Sequence, residues 1–169
     1  MNKTIKLAVF LGVVAAISGL LLGFVNSITE PIIEAKAIEE EKANLEIMYP
    51  NGKFEIVSYK DEDNVIISAY KANGSDYVFK ATAVGYNSST PIIALVGVDS
   101  KGAITNVVAL QQQETNGIGS KVFDQENINN LYVGKNNIDD IDTFSGATFT
   151  SSAMKTIMTN VFEALGEIK

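Results

Sequence analysis

The sequence predicts an α+β protein, an N-terminal transmembrane helix followed by an antiparallel sheet with packed helices, on three observations. The chain opens with a long uncharged run, "LAVFLGVVAAISGLLLGFV", Leu7 to Val25. Its middle turns to short β-branched and aromatic runs punctuated by Asn, Gly, Ser and Asp. It closes on apolar residues at helical spacing.

The opening run holds nineteen residues without a charge. As a helix rising about 1.5 Å per residue it matches a hydrocarbon core of about 30 Å. A cleaved signal peptide is the alternative, because Lys3 and Lys6 give a basic start. An apolar region of about 7–15 residues and a small-residue cleavage site would then be expected, and "NSITEPI" is a poor site. Absence of cysteine excludes a lipoprotein anchor. Two lysines before the run and Glu30, Glu34, Glu39, Glu40 and Glu41 after it place the N-terminus in the cytoplasm by the positive-inside rule. The expected organisation is a cytoplasmic 1–6, a transmembrane helix 7–28, an acidic connecting helix 29–52 and an extracytoplasmic domain 53–169.

Pro31 stands where a helix can begin, and Ile32, Ala35, Ile38, Leu45 and Met48 recur on a helical period until Pro50, Asn51 and Gly52 stop it. The acids between them read as a solvated face. Five strand-like runs follow: "FEIVSY", "NVIISAYKA", "DYVFKATAV", "PIIALVGVD" and "AITNVVAL". The turn signals "ANGSD", "GYNSST" and "DSKG" punctuate them, so an antiparallel sheet of four or five strands is expected. Gly117 and Gly119 bracket a loop in which Ser120 is placed to cap a short helix. The last element, from about Phe149 to Leu165, carries Met154, Ile157, Met158, Val161 and Leu165 on the face that packs on the sheet.

Composition excludes several function classes. Net charge is −7, with 13 lysines, no arginine and 20 acids, so no nucleic-acid partner is expected. With neither Cys nor His, the chain lacks the usual ligands for zinc, copper, haem and iron–sulfur clusters, the usual general base and the thiol nucleophile. No metal site and no catalytic residue are expected, and a redox role would need an organic cofactor.

One stretch asks for more than a fold. "DTFSGATFTSSAM", Asp142 to Met154, sets Ser145, Thr148, Thr150, Ser151 and Ser152 around Gly146 and Ala147 at a helix start, where one capping hydroxyl suffices. Helix N-termini offer free N–H groups and a positive dipole end, which favour a phosphate, and small residues let it approach. The plain alternative is an N-cap.

"DTFSGAT", Asp142 to Thr148, resembles the flavinylation motif D-x-x-[ST]-G-A-T of FMN-binding domains in the Rnf complex G subunit and the related Na⁺-translocating NADH:quinone reductase C subunit. "NSITEPII" after the apolar run, "VGY" at Val84 to Tyr86, "IALVGVDSKGAITNV" from Ile93 and "ETNGIGSKV" from Glu114 follow in the family's order, so the resemblance spans anchor to last helix. Asn116 and Ile118 depart from the usual E-T-P-G-L-G, and Gln111 to Gln113 stand where the family often has a histidine.

The resemblance implies an FMN joined through its phosphate to Thr148 by a phosphoester, with Asp142 part of the signal read by an FAD-dependent FMN transferase. It implies cofactor-binding roles for Ser145, Gly146, Ala147, Thr150, Glu114, Thr115, Ile118 and Gly119. Lys121 and Lys155 are candidate phosphate partners, or ordinary surface lysines. It also implies an electron-carrier subunit, not catalytic alone, of an ion-translocating ferredoxin:NAD⁺ oxidoreductase in the cell membrane. Its partners there would be subunits A, B, C, D and E, D above all, together with membrane lipid. The alternatives are a stand-alone flavinylated surface protein for extracellular electron transfer and a non-redox membrane-anchored binding domain.

Overall fold

The computed structural model describes residues 2–59, 61 and 63–168, with the side chains of residues 31–35, 37 and 38 outside the description. Ile32, Ala35 and Ile38 of the expected apolar stripe fall among those side chains. The chain forms two compact units, residues 1–43 and 44–169.

The first unit is helical and belongs to α1, Lys3–Met48. Residues Lys3–Glu30 are long and apolar enough to cross a membrane, with a mean hydropathy of 2.5 and none of that window buried. Leu7, Phe10, Leu20 and Leu22 all stand exposed. Pro31 does not start a second helix, as the sequence suggested, but lies inside α1. A proline there removes one N–H from the ladder. Strong helix formers beyond it outweigh that loss. Ser27 and Thr29 donate their hydroxyls to the Phe24 and Val25 carbonyls at 2.8 Å instead of capping a new helix, and the Ala- and Glu-rich stretch beyond has high helix propensity.

The second unit is an antiparallel meander in the order β1 (Phe54–Val57), β2 (Ile66–Ala72), β3 (Asp76–Ala83), β4 (Ile92–Val98) and β5 (Ile104–Gln111). Tight turns set this order. Between β2 and β3, Asn73 (φ 51°) and Gly74 (φ 81°) take left-handed conformations in succession, and Ser75 N–H closes the turn on the Ala72 carbonyl at 3.2 Å. Such a primed turn matches the twist of the strands it joins.

Period-two alternation splits the side chains between two faces. Phe79 and Ala81 of β3, with Ala94, Val96 and Val98 of β4, face the main core. There Met154, Ile157, Met158, Val161 and Leu165 of α3 (Thr148–Ile168) cover them. Val78 and Leu95 point the other way and meet Leu45, Met48 and Tyr49 at the end of α1. β3 and β4 are therefore buried on both faces, which is why they read as nearly unbroken apolar runs. The β5–α3 connection carries a 3-10 helix (Gly119–Phe123), α2 (Gln125–Leu131) and a second 3-10 turn (Ile138–Asp140). Ser120 does not cap α2; its Oγ accepts the Gly117 N–H at 2.9 Å inside the loop, and Asp124 precedes α2 without a side-chain cap.

Candidate functional site

The first turn of α3 sorts its hydroxyls into two sets. Thr150 and Ser151 are buried at 1 % exposure each. Thr150 donates its hydroxyl to Glu114 Oε2, and the Ser151 Oγ accepts the Phe144 N–H at 2.9 Å. Thr148 and Ser152 are exposed. The density of small polar residues thus has a structural half that sews the preceding loop to the helix, and an outward half at its start.

Helix geometry sets the electrostatics. Ser151 N–H is the first to reach back along α3, to the Ala147 carbonyl at 2.9 Å. The N–H groups of Thr148, Phe149 and Thr150 therefore precede any carbonyl that α3 offers them. They form the positive end of a 21-residue helix that has no acid in its first turn. Gly146 enters that turn at φ 84°, a conformation that costs other residues about 1–2 kcal/mol. An added Cβ there would meet nothing within 4 Å, so this glycine is required by backbone conformation and not by crowding.

An open pocket of about 380 Å³ lies beside this helix start. Gly146, Ala147, Thr148, Phe149 and Thr150 make one wall, Thr115, Ile118 and Gly119 a second, and Tyr86 a third. Tyr86, Phe149 and Ile118 are exposed at 67 %, 69 % and 51 %, and the two rings stand 6.1 Å apart at 56°. Such a cluster of uncovered apolar side chains marks a binding surface. Donors at one wall and flat apolar groups on the others suit a ligand with a phosphate and a planar ring.

Most of the expected residues meet here. Thr115, Ile118, Gly119, Gly146, Ala147, Thr148 and Thr150 line one pocket although 27 or more positions separate the two groups. Ser145 is exposed next to the wall and not in it, as is Asp142 further back in the loop. Glu114 lies beneath the wall, 7 % exposed, with its carboxylate turned to backbone donors. Lys121 and Lys155 are absent from the lining.

Two residues escaped the sequence reading. Tyr86 was visible only as the last letter of "VGY". Phe149 left a clearer signal: an aromatic roughly opposite the Met154–Leu165 apolar face, where α3 gives it nothing to pack on.

Residues 85–163 match the family model of the FMN-binding domain, and residues 1–46 match that of the RnfG N-terminal region. The chain belongs to the FMN-binding domain, RnfG family. No curated protein matches it. The FMN-binding match begins at Gly85 and ends in α3, so it takes in all three walls of the pocket. As an FMN-binding, Rnf-type subunit, the protein has a pocket whose donor set and apolar walls fit the phosphate and the ring of FMN.

Proposed function

We propose that the protein is a membrane-anchored electron-relay subunit of an Rnf-type ion-translocating ferredoxin:NAD⁺ oxidoreductase, carrying FMN covalently on Thr148. One observation carries this reading. Thr148 is the exposed hydroxyl of the motif that lines the pocket, while Thr150 and Ser151 are buried and engaged. In the attachment step the Thr148 oxygen bonds to the FMN phosphorus of FAD, the phosphoanhydride bond breaks, AMP leaves, and the hydroxyl proton passes to the transferase or to water. Bound FMN supplies reversible electron transfer. The chain's own part is to hold and shield. The free N–H groups of Thr148, Phe149 and Thr150 face the phosphate end, and Tyr86, Phe149 and Ile118 offer apolar surface to the ring. The other Rnf subunits, D above all, are the partners, and the FAD-dependent transferase completes maturation.

Thr148→Ala is expected to abolish flavin fluorescence of the denatured protein band. Thr148→Ser keeps an acceptor and retains partial labelling. An FMN adduct mapped to any other residue, or fluorescence surviving Thr148→Ala, overturns the assignment.

The orientation follows from Lys3 and Lys6 ahead of the apolar helix: N-terminus in the cytoplasm, residues 53–169 outside. Protease added to intact spheroplasts should digest the outer domain, and a protected domain would reverse the topology.

A further inference from the structure

We propose that Glu114 is a positioning residue for the flavin acceptor, its buried carboxylate clasping the 84–87 loop to the first turn of α3 so that Thr148 is set at the pocket before FMN arrives. The inference rests on the reading of Thr148 as acceptor. It concerns a group that touches neither the pocket nor the reacting atoms.

Three donors converge on this carboxylate. Oε1 accepts the Asn87 N–H at 3.2 Å, and Oε2 accepts the Tyr86 N–H at 3.1 Å together with the Thr150 hydroxyl. Two glycines make room for it. A Cβ on Gly85 would lie 2.6 Å from Glu114 Oε1, and one on Gly119 would lie 2.7 Å from Thr150 Oγ1 and 2.9 Å from Glu114 Cβ. The scattered signatures "VGY", "ETNGIG" and "SGATFT" thereby meet at one buried point. Each delivers one pocket wall. Tyr86 follows Gly85, Ile118 precedes Gly119, and Thr148 stands two residues before Thr150. A glutamate that only filled space would need neither the convergent donors nor the two bare backbones.

Glutamine at this position separates the two ideas. Its amide fills the same volume but carries one acceptor oxygen and one donor nitrogen. With the oxygen kept on Thr150 and Tyr86, the NH₂ group faces the Asn87 N–H, donor against donor.

The test uses the full chain in detergent and two readouts. Residue-resolved hydrogen exchange on the unlabelled chain should show the Tyr86 and Asn87 amides protected, and Glu114→Gln should release Asn87 first. Timed labelling with transferase and FAD, followed by intact mass, should be roughly tenfold slower for Thr150→Val and return to within about twofold of wild type for Thr150→Ser. Fast exchange of both amides in the wild type overturns the clasp. So does labelling of Thr150→Val at the wild-type rate. Protected amides with no adduct at Thr148 in the wild type overturn the acceptor reading, and this proposal with it. If Thr150→Val does not fold, wild-type exchange and Glu114→Gln decide: Asn87 unchanged in the glutamine variant overturns the clasp.

Discussion

Two carboxylates each gather two backbone N–H groups, and they do so at opposite scales. Asp99, at the β4–β5 turn, accepts Lys101 N–H at 2.8 Å and Ala103 N–H at 2.9 Å, both within four residues. Glu114, under the pocket, accepts Tyr86 and Asn87 N–H groups from 28 and 27 residues away and the Thr150 hydroxyl from 36 residues away. The same chemistry finishes a hairpin in one place and assembles a site in the other. Local closure costs little chain entropy, so Asp99 is replaceable; long-range closure holds segments that lie far apart in the chain. Damage at the pocket floor should therefore reach further than damage at the turn.

The largest effect that sharpens this contrast is expected from Gly119→Ala. Its Cβ would meet Glu114 Cβ at 2.9 Å, an atom that moves only with its backbone, so the clasp must open or the loop must shift. A loss of about 2–3 kcal/mol in urea unfolding is expected, the upper range for overpacking. A loss below about 0.5 kcal/mol would mean that the floor is as forgiving as a surface site.

Asp99→Ala comes next, at about 0.5–1 kcal/mol, since solvent at the turn weakens its bonds. The Ala103 N–H, and after it the Lys101 N–H, hold the Asp99 carboxyl below its ordinary value of 3.8. With the folded value depressed, its contribution is complete above about pH 4 and fades as pH falls through the lowered value. The stability gap between wild type and Asp99→Ala should accordingly shrink at pH 3. A gap that widens there would invert the sign of the interaction.

The smallest change belongs to Tyr132→Phe. Tyr132 is 1 % exposed, its hydroxyl has no hydrogen-bond partner among the described residues, and burial pushes the phenol well above its usual range. Removing a buried oxygen that bonds to nothing should leave stability unchanged or raise it slightly. A loss above about 1 kcal/mol would point to a donor or acceptor met in solution.

The same difference of scale explains what the sequence could reveal. "ANGSD" and "DSKG" carry their own turn chemistry, so the sheet and its hairpins were legible from short windows. α3 was legible because Met154, Ile157, Met158, Val161 and Leu165 keep one period over a long run. Pro31 misled because a local rule, that proline begins helices, was outweighed by a run of strong helix formers around it. Ser120 misled likewise, its hydroxyl being taken by Gly117 one turn earlier than a cap would need. At the site, the motif singled out Thr148, which lines the pocket. The work of Glu114 was not, because nothing near it in the chain names Tyr86, Asn87 or Thr150 as its partners. Ile118 and Tyr86 reach the same pocket from loops that this carboxylate helps to hold together.

Tyr86, Ile118 and Phe149 stand outside the core cluster that α3 seals against the sheet. The domain therefore owes none of its interior to flavin, and on the proposed reading folding need not wait for cofactor loading. On that reading, a chain would complete its sheet first, with the Thr148 hydroxyl already exposed. If Thr148 accepts FMN as proposed, loading would be a finishing step that waits on transferase and FAD. A cell short of flavin would hold a reserve of folded, colourless subunits, and the exchange measurement on the unlabelled chain reads whether that reserve is already shaped for use.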